Sequence, residues 1–309
     1  MRLRLAGVAL ACLPVLLDAG QTFRADVKLI DVSVSVRDGE GHLVTGLSQD
    51  DFEVFEDGSP QKIAFFARSQ DVPLNLGLAV DFSGSQDPFL KAHHKDLQAF
   101  LDNVLGPADQ AYLLCFGNYL RMVNEFTSSP AELLASLQSY EKGSRNFPEL
   151  GPAEDREGGT AFYDAIYYSS TDMLAKVEHG RRALIVFSDG EDNSSAHNMM
   201  ETLETAQSKD VVLYGVRYTD VKNGRLNSRN KYGTGVMARM AQDTGGADFD
   251  ARKTDMASEF KSIGEQLRSS YELAYHSSNP ANDGLFRKIS VQVKRPGVTA
   301  RAKAGYYAR

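Results

Sequence analysis

The sequence predicts an α/β protein in which a doubly wound, Rossmann-like, mainly parallel sheet is inserted in a small β-sandwich formed by the N- and C-terminal segments. Three observations lead there. The middle of the chain alternates short apolar runs with helical stripes, the pattern of a parallel sheet covered on both faces. Both ends are β-patterned, with turn signals close together. Neither end is long enough to hold a core alone, so the simplest solution pairs them; insertion is favoured where chain ends lie close together.

The chain opens MRLRLAGVALACLPVLLDAG. Arg2 and Arg4 precede an uncharged, mostly apolar run of 13 residues, Leu5 to Leu17. A membrane span needs about 20 residues, so residues 1–20 read as a secretory signal peptide. Ala9-Leu10-Ala11-Cys12 offers a weaker lipoprotein-like alternative. The mature protein is then expected in the periplasm, the cell envelope or the medium, with no membrane span of its own.

Residues 21–72 form the first β segment. Leu29, Asp31, Ser33 and Ser35 alternate with Ile30, Val32, Val34 and Val36, the period of a half-buried strand. Asp38-Gly39 turns the chain, and residues 42–46 continue the pattern. Asp57-Gly58 is a hairpin signal, expected to join strands at residues 52–55 and 62–66.

Residues 73–267 form the α/β unit. Its apolar runs at 74–80, 111–116, 183–187 and 211–216 are each short enough for a buried strand. Leu90, His94, Leu97, Leu101 and Leu105 mark one helix. Leu133, Leu137 and Tyr140 follow Ser128-Ser129-Pro130, with proline near the first turn where its missing N–H costs nothing. Met199, Leu203 and Ala206 mark a third helix; Met256, Phe260, Ile263 and Leu267 mark a fourth. The stretch 143–159 is a long charged loop, of a length that is usually functional. The basic stretch 221–230 reads as a loop near the edge of the site. Residues 268–309 return to β, with strands expected at 271–275, 288–293 and about 298–307.

Composition bounds the function. The chain has 309 residues, 42% of them apolar and 24% charged, and a formal net charge of −7. That balance, without a long Lys/Arg run, argues against a nucleic-acid partner. Cys12 and Cys115 are the two cysteines, and a chain that has lost its signal cannot form an internal disulfide. Cys115 sits in an apolar strand, where a thiol is inert. No GxSxG, HExxH, CxxC or P-loop pattern is present.

One constellation carries chemistry. Asp81-Phe82-Ser83-Gly84-Ser85 follows the first strand of the α/β unit, and ligands of open parallel sheets bind outside the carboxyl ends of strands. Gly158-Gly159-Thr160 opens a helix. Ser188-Asp189-Gly190 ends another strand. Asp81, Ser83, Ser85, Thr160 and Asp189 are all hard oxygen donors, which favours Mg²⁺, with Mn²⁺ or Ca²⁺ as alternatives, over zinc. Read without a metal, the same residues are a polar turn and a helix cap; three separated segments in agreement weigh against that.

Here the sequence resembles the von Willebrand factor A (VWA) family and its metal-ion-dependent adhesion site (MIDAS): DxSxS, then a distant Thr, then an Asp after a strand. The resemblance covers residues 73 to 267. It implies that Ser83 and Ser85 coordinate directly, that Thr160 does so in one state and through water in another, and that Asp81 and Asp189 act mostly through water. The flanks, with Gly46-Leu47, Asp51-Phe52, Asp57-Gly58 and Gln61-Lys62-Ile63, and an ending with Arg295-Pro296-Gly297 and Ala304-Gly305-Tyr306-Tyr307, resemble the VWFA-related proteins first described from acidobacteria.

Other residues have plainer readings. His93 and His94 are neighbours and point apart on a helix. His179 sits near a helix end, where it favours the dipole. His197 and Glu201 read as a surface pair. Asp164 supports the site or complements a helix dipole; Glu191 and Asp192 read as rim. The function that follows is a binding module that captures an Asp or Glu of a protein partner through its metal. The alternatives are a structural envelope protein with an idle or stabilising metal, and a metal-dependent hydrolase. The hydrolase lacks an identifiable base or nucleophile, so no enzyme is expected.

Overall fold

The N-terminal segment supplies strands β1 (Leu29–Asp38), β2 (Phe52–Glu56), β3 (Ser59–Gln61) and β4 (Ile63–Ser69). The structure is a computed structural model that describes residues 29–70, 72–144, 146–152, 158–219 and 225–309. The expected signal segment lies outside the described residues. The middle of the chain supplies β5 (Leu74–Asp81), α1 (Leu90–Val104), β6 (Gln110–Phe116), β7 (Leu120–Thr127), α2 (Pro130–Glu141) and α3 (Phe162–Tyr168). It continues with β8 (Arg181–Ser188), α4 (Met199–Ser208), β9 (Val211–Arg217), α5 (Ser228–Asp243), β10 (Asp248–Asp250) and α6 (Met256–Arg268). The last segment supplies β11 (Ser270–His276), β12 (Phe286–Val293), β13 (Val298–Arg301) and β14 (Gly305–Tyr307). Among the described residues no helix is long and apolar enough to cross a membrane.

The central sheet runs β10-β9-β8-β5-β6-β7. All its pairings are parallel except β6 with β7. One face is covered by α1, α2 and α6 through residues such as Leu97, Leu137 and Phe260. The other is covered by α3, α4 and α5 through Ile166, Ala206 and Met240. Strand β5 is buried along its whole length, and Cys115 lies fully buried on its neighbour β6. From β5 the chain passes to β6 on one side and later to β8 on the other. That reversal opens a crevice beyond the carboxyl ends of β5 and β8, where side chains from separate loops converge.

The outer segments make two antiparallel sheets, β13-β1-β11-β4 and β14-β12-β2-β3. Each holds strands from both ends of the chain. The apolar face of β1 (Ile30, Val32, Val34 and Val36) packs between them with Phe52, Val54, Leu273 and Ile289. The fold class is therefore the one expected: a doubly wound, mainly parallel sheet with antiparallel sheets built from the flanking segments.

Several local expectations differ. The Asp57-Gly58 turn joins β2 to the short β3, while β4 leaves for the opposite sheet and pairs with β11. Lys62 breaks the run, and a strand that turns a corner between packed sheets needs such a break. The last expected strand likewise divides into β13 and β14, in different sheets. Residues 42–46 hold one isolated bridge, Arg37 with Leu43, and no strand. The stretch 221–230 is helical from Ser228, the start of α5.

Candidate metal centre

The site begins with how β5 ends. Asp81 leaves the buried strand and its Oδ1 accepts the Ser83 N–H at 2.8 Å, which pulls the chain into a tight turn. Its Oδ2 accepts the Ser188 hydroxyl at 2.6 Å, from the end of β8. One carboxylate thus ties the two strands that flank the crevice. Ser85 Oγ donates to Asp189 Oδ2 at 2.7 Å, and the Ser83 and Ser85 hydroxyls lie 3.2 Å apart in a shared hydrogen bond. Asp81, Ser83, Ser85 and Asp189 therefore meet as one hydrogen-bonded group.

No hydrogen bond joins Thr160 to this group among the described residues; backbone contacts hold its loop beside it. Its N–H donates to Asn193 Oδ1 at 2.7 Å, and its carbonyl accepts the Asn193 and Ser194 amides. Ala161 N–H donates to the carbonyl of Gly117 at 2.9 Å. Gly117 in turn lies against Phe82 and Ser83, where a β-carbon would come within 3.3 Å of backbone. The Thr160 loop is held between the loop after β8 and the turn beside Ser83.

The loop after β8 is stitched to the start of α3. Asp192 accepts the Tyr163 amide at 3.2 Å, and the Ser195 hydroxyl accepts the Asp164 amide at 3.0 Å, which satisfies N–H groups that a helix start leaves open. Asp164 is fully buried; it accepts the amides of Ala196 and His197 at 3.0 Å and pairs with His197 Nδ1 at 2.8 Å. Asp164 thus buttresses the loop. His197 precedes α4 and stacks on Tyr167, so its expected surface pairing with Glu201 is not made. Glu201 instead completes a capping box with Asn198.

Burial dominates the electrostatics. Removal from water, with the nearby Asp189 carboxylate adding to it, pushes the Asp81 carboxyl up to about 7 against the hydrogen bonds from Ser188 and Ser83. Burial first and Asp189 second also raise Glu191, and burial raises Asp192. Among the described residues no Lys or Arg bonds to Asp81 or Asp189. Two enclosed carboxylates facing hydroxyls without a cation form a costly arrangement, and a hard divalent ion suits this donor set. The buried Gln86 adds a second sign. Its Nε2 donates to Asp189 Oδ2 at 2.8 Å, while its Oε1 has no partner among the described residues. Among those residues no group of three or more His, Cys, Asp or Glu is placed to hold a metal; of the five expected ligands, Ser83, Ser85 and Thr160 are hydroxyls.

Gln86, Ser188 and Asn193 are additions that sequence reasoning missed. Ser188 was reachable, because it directly precedes Asp189 at the strand end. Nothing in the local pattern marks Gln86.

Behind the site, His93 is 1% exposed, its ring nitrogens have no partner among the described residues, and it packs edge-on against Tyr218 at 4.2 Å. Tyr218 donates to Asp96 at 2.6 Å, and its carbonyl receives Gln86 at 3.4 Å. Burial holds the His93 imidazole down at about 3, from an ordinary 6.5. The unfolded chain therefore takes up a proton as pH falls through 6.5, while the folded chain resists until about 3. Stability is full above 6.5 and declines towards 3. Replacing His93 with Leu is expected to recover roughly 2 kcal/mol at pH 4.5 relative to pH 7. Urea unfolding at the two pH values checks it; an unchanged difference places the acid sensitivity elsewhere.

No family model matches the chain, and no curated protein matches it. Solved structures of similar fold include BatB, a conserved hypothetical protein of Bacteroides thetaiotaomicron, at 18% identity over 62% of this chain and 98% of that one, TM-score 0.45. Proximal thread matrix protein 1 of the mussel byssus, with a zinc-occupied MIDAS motif, is 13% identical over 68% of this chain and 49% of that one, TM-score 0.47. The manganese-loaded TRAP protein of Plasmodium vivax is 14% identical over 79% and 99%, TM-score 0.43. All three TM-scores lie below 0.5.

Proposed function

We propose that this chain is a VWA-type binding module that holds one divalent cation, Mg²⁺ by preference, through Asp81, Ser83, Ser85, Thr160 and Asp189. The observation that carries the reading is the hydrogen-bonded group of Asp81, Ser83, Ser85 and Asp189 at the reversal point of the sheet. When bound, the cation supplies a positive centre with a coordination position that an Asp or Glu from a protein partner can fill. The chain's own residues do the rest. Ser83 and Ser85 present neutral hydroxyls, and Asp81 fixes their turn. Gln86 donates to Asp189 and holds that carboxylate in place. Asn193 holds Thr160 at the rim. The reading is one of adhesion or assembly and not of catalysis. Export is part of the proposal, on the support of the signal-like sequence of residues 1–20.

The test is metal dependence. Thermal unfolding in excess Mg²⁺ is expected at higher temperature than in chelator, and partner captured from envelope extract is expected to be released by chelation. Unfolding temperatures that ignore Mg²⁺, Mn²⁺ and Ca²⁺ alike would remove the metal from the reading. Retention of the partner in excess chelator would remove the metal from the interaction.

A further inference from the structure

We propose that the chain carries a second binding site, in the seam between the antiparallel sheets and the α/β unit, for a short linear zwitterion of dipeptide size. The seam lies beside the starts of β8 and β9, at the opposite edge of the central sheet from the metal centre. It encloses a cavity of about 140 Å³ that continues past Asp31, Gln207, Asp210 and Lys303 into a cleft of about 710 Å³. The polar face of β1, with Ser33 and Ser35, forms one wall, and Tyr214 lies in the other.

Two polar groups here are unspent. Tyr214 is 1% exposed and Gln207 is 2% exposed, and both line the cavity. The Tyr214 hydroxyl and Gln207 Oε1 have no partner among the described residues. Buried polar groups are normally paired, so both call for an occupant. Their surroundings say which kind. At the mouth, Lys303 pairs with Asp210 at 2.6 Å, which leaves Asp31 as surplus negative charge beside Gln207. At the inner end, Arg181 is bonded to Glu272 and to the hydroxyls of Ser33 and Ser270. Arg301, on β13, lines the cavity from an exposed position and has no ion pair among the described residues, which leaves it as surplus positive charge. The cavity is thus acceptor-rich at one end and donor-rich at the other. An ammonium facing Asp31 and Gln207, with a carboxylate facing Arg301 and Tyr214, matches it group for group.

Length sets the size of the occupant. Arg301 pairs with Ser35, four residues along β1 from Asp31, or about 13 Å of strand. The Asp and Arg side chains reaching inward shorten that gap. An α-amino acid is too short to touch both ends, whereas an extended dipeptide spans about 7 Å. The enclosed volume holds roughly ten water-sized positions, comparable with the non-hydrogen atoms of glycylglycine.

Calorimetric titration of the full chain with glycylglycine tests the site. Saturable binding is expected, at least tenfold weaker for N-acetylglycine, which lacks the ammonium, and for glycylglycinamide, which keeps the length and lacks the carboxylate. Tyr214→Phe and Arg301→Gln are each expected to weaken glycylglycine at least tenfold. Tyr214→Phe removes a hydroxyl that has no partner among the described residues, so its unfolding temperature should stay at the wild-type value; if it does not fold, Arg301→Gln decides alone. Asp81→Asn, at the metal centre, should bind glycylglycine as wild type does. The proposal fails if glycylglycine does not saturate up to about 10 mM. It fails equally if the blocked compounds bind as tightly, if Arg301→Gln binds unchanged, or if a crystal grown with glycylglycine shows only water in the seam.

Discussion

Asp81→Asn is expected to abolish the Mg²⁺-dependent rise in unfolding temperature while leaving the metal-free protein at least as stable as wild type at pH 8. The two halves have one cause. Asp81 is fully enclosed, and burial raises its carboxyl from 3.8 to about 7. In the unfolded chain the group ionises near its ordinary value. Between about 4 and 7 the folded chain therefore holds the proton that the unfolded chain has released, and metal-free stability falls as pH rises. At pH 8 the enclosed charge is a standing cost that a cation offsets. Asparagine removes that charge. Its oxygen can still accept the Ser83 amide, and its nitrogen can donate to the Ser188 hydroxyl, so the turn and the strand tie survive. A ligand present at one hundred times its Kd adds about 2.7 kcal/mol, or roughly 5–10 °C in a domain of this size. Calorimetric scans of wild type and Asp81→Asn, each in excess Mg²⁺ and in chelator, give the comparison. A variant that still responds to Mg²⁺ would show that Asp81 is not part of the metal's surroundings.

The second large effect lies far from the metal. Glu56→Leu is expected to cost about 1–3 kcal/mol, with a clear fall in unfolding temperature. Glu56 is 3% exposed, yet its carboxylate is well supplied. Oε2 accepts the hydroxyls of Tyr275 at 2.8 Å and Tyr306 at 3.0 Å, and Oε1 accepts Ser277 at 2.5 Å. These donors come from β11, from β14 and from the turn after β11, so one side chain bolts the two antiparallel sheets together. The tyrosines respond in kind: burial and then hydrogen bonding to Glu56 raise Tyr275. Leucine would take from the fully enclosed Tyr275 hydroxyl its acceptor among the described residues. Glu56→Gln keeps an acceptor and should lose less. Chemical denaturation of the three proteins separates the cases; equal stability of wild type and Glu56→Leu would deny the carboxylate any bolting role.

What the sequence made legible follows from what leaves a local pattern. Continuous apolar runs marked β5, β6, β8 and β9, because strands buried on both faces have no polar side to hide. Asp81, Ser83 and Ser85 were readable because they follow such a run at a turn. Strand β7 was not, since Arg121, Asn124 and Glu125 interrupt its apolar residues on an edge that only one neighbour covers. Helix α5 was missed for a related reason. Gly233 and Gly235 weaken its propensity, but Gly233 lets it pack backbone to backbone on the turn after β8, where a β-carbon would lie 2.6 Å from the Asp189 carbonyl. That close approach is visible only in three dimensions. Gln86 and Asn193 were hidden because their partners, Asp189 and Thr160, come from distant segments. Tyr214 on β9 and Gln207 on α4 carry no local mark of the seam, because the wall that faces them comes from β1.

The pairing of Ser69 with Ser270 sets the entry and exit of the α/β unit on one rung of a ladder. From that rung β11 runs beside β1 in the opposite direction, and Leu29 stands against His276 at the far end. Suppose the molecule is held at its N-terminal side and tugged by whatever grips the far edge of the α/β unit. The load then pulls β1 and β11 from opposite ends. Every rung between them is strained at once, in shear, instead of parting one after another as in a zip. Loaded that way, the ladder gives only when its rungs from Leu29–His276 to Val34–Tyr271 yield together.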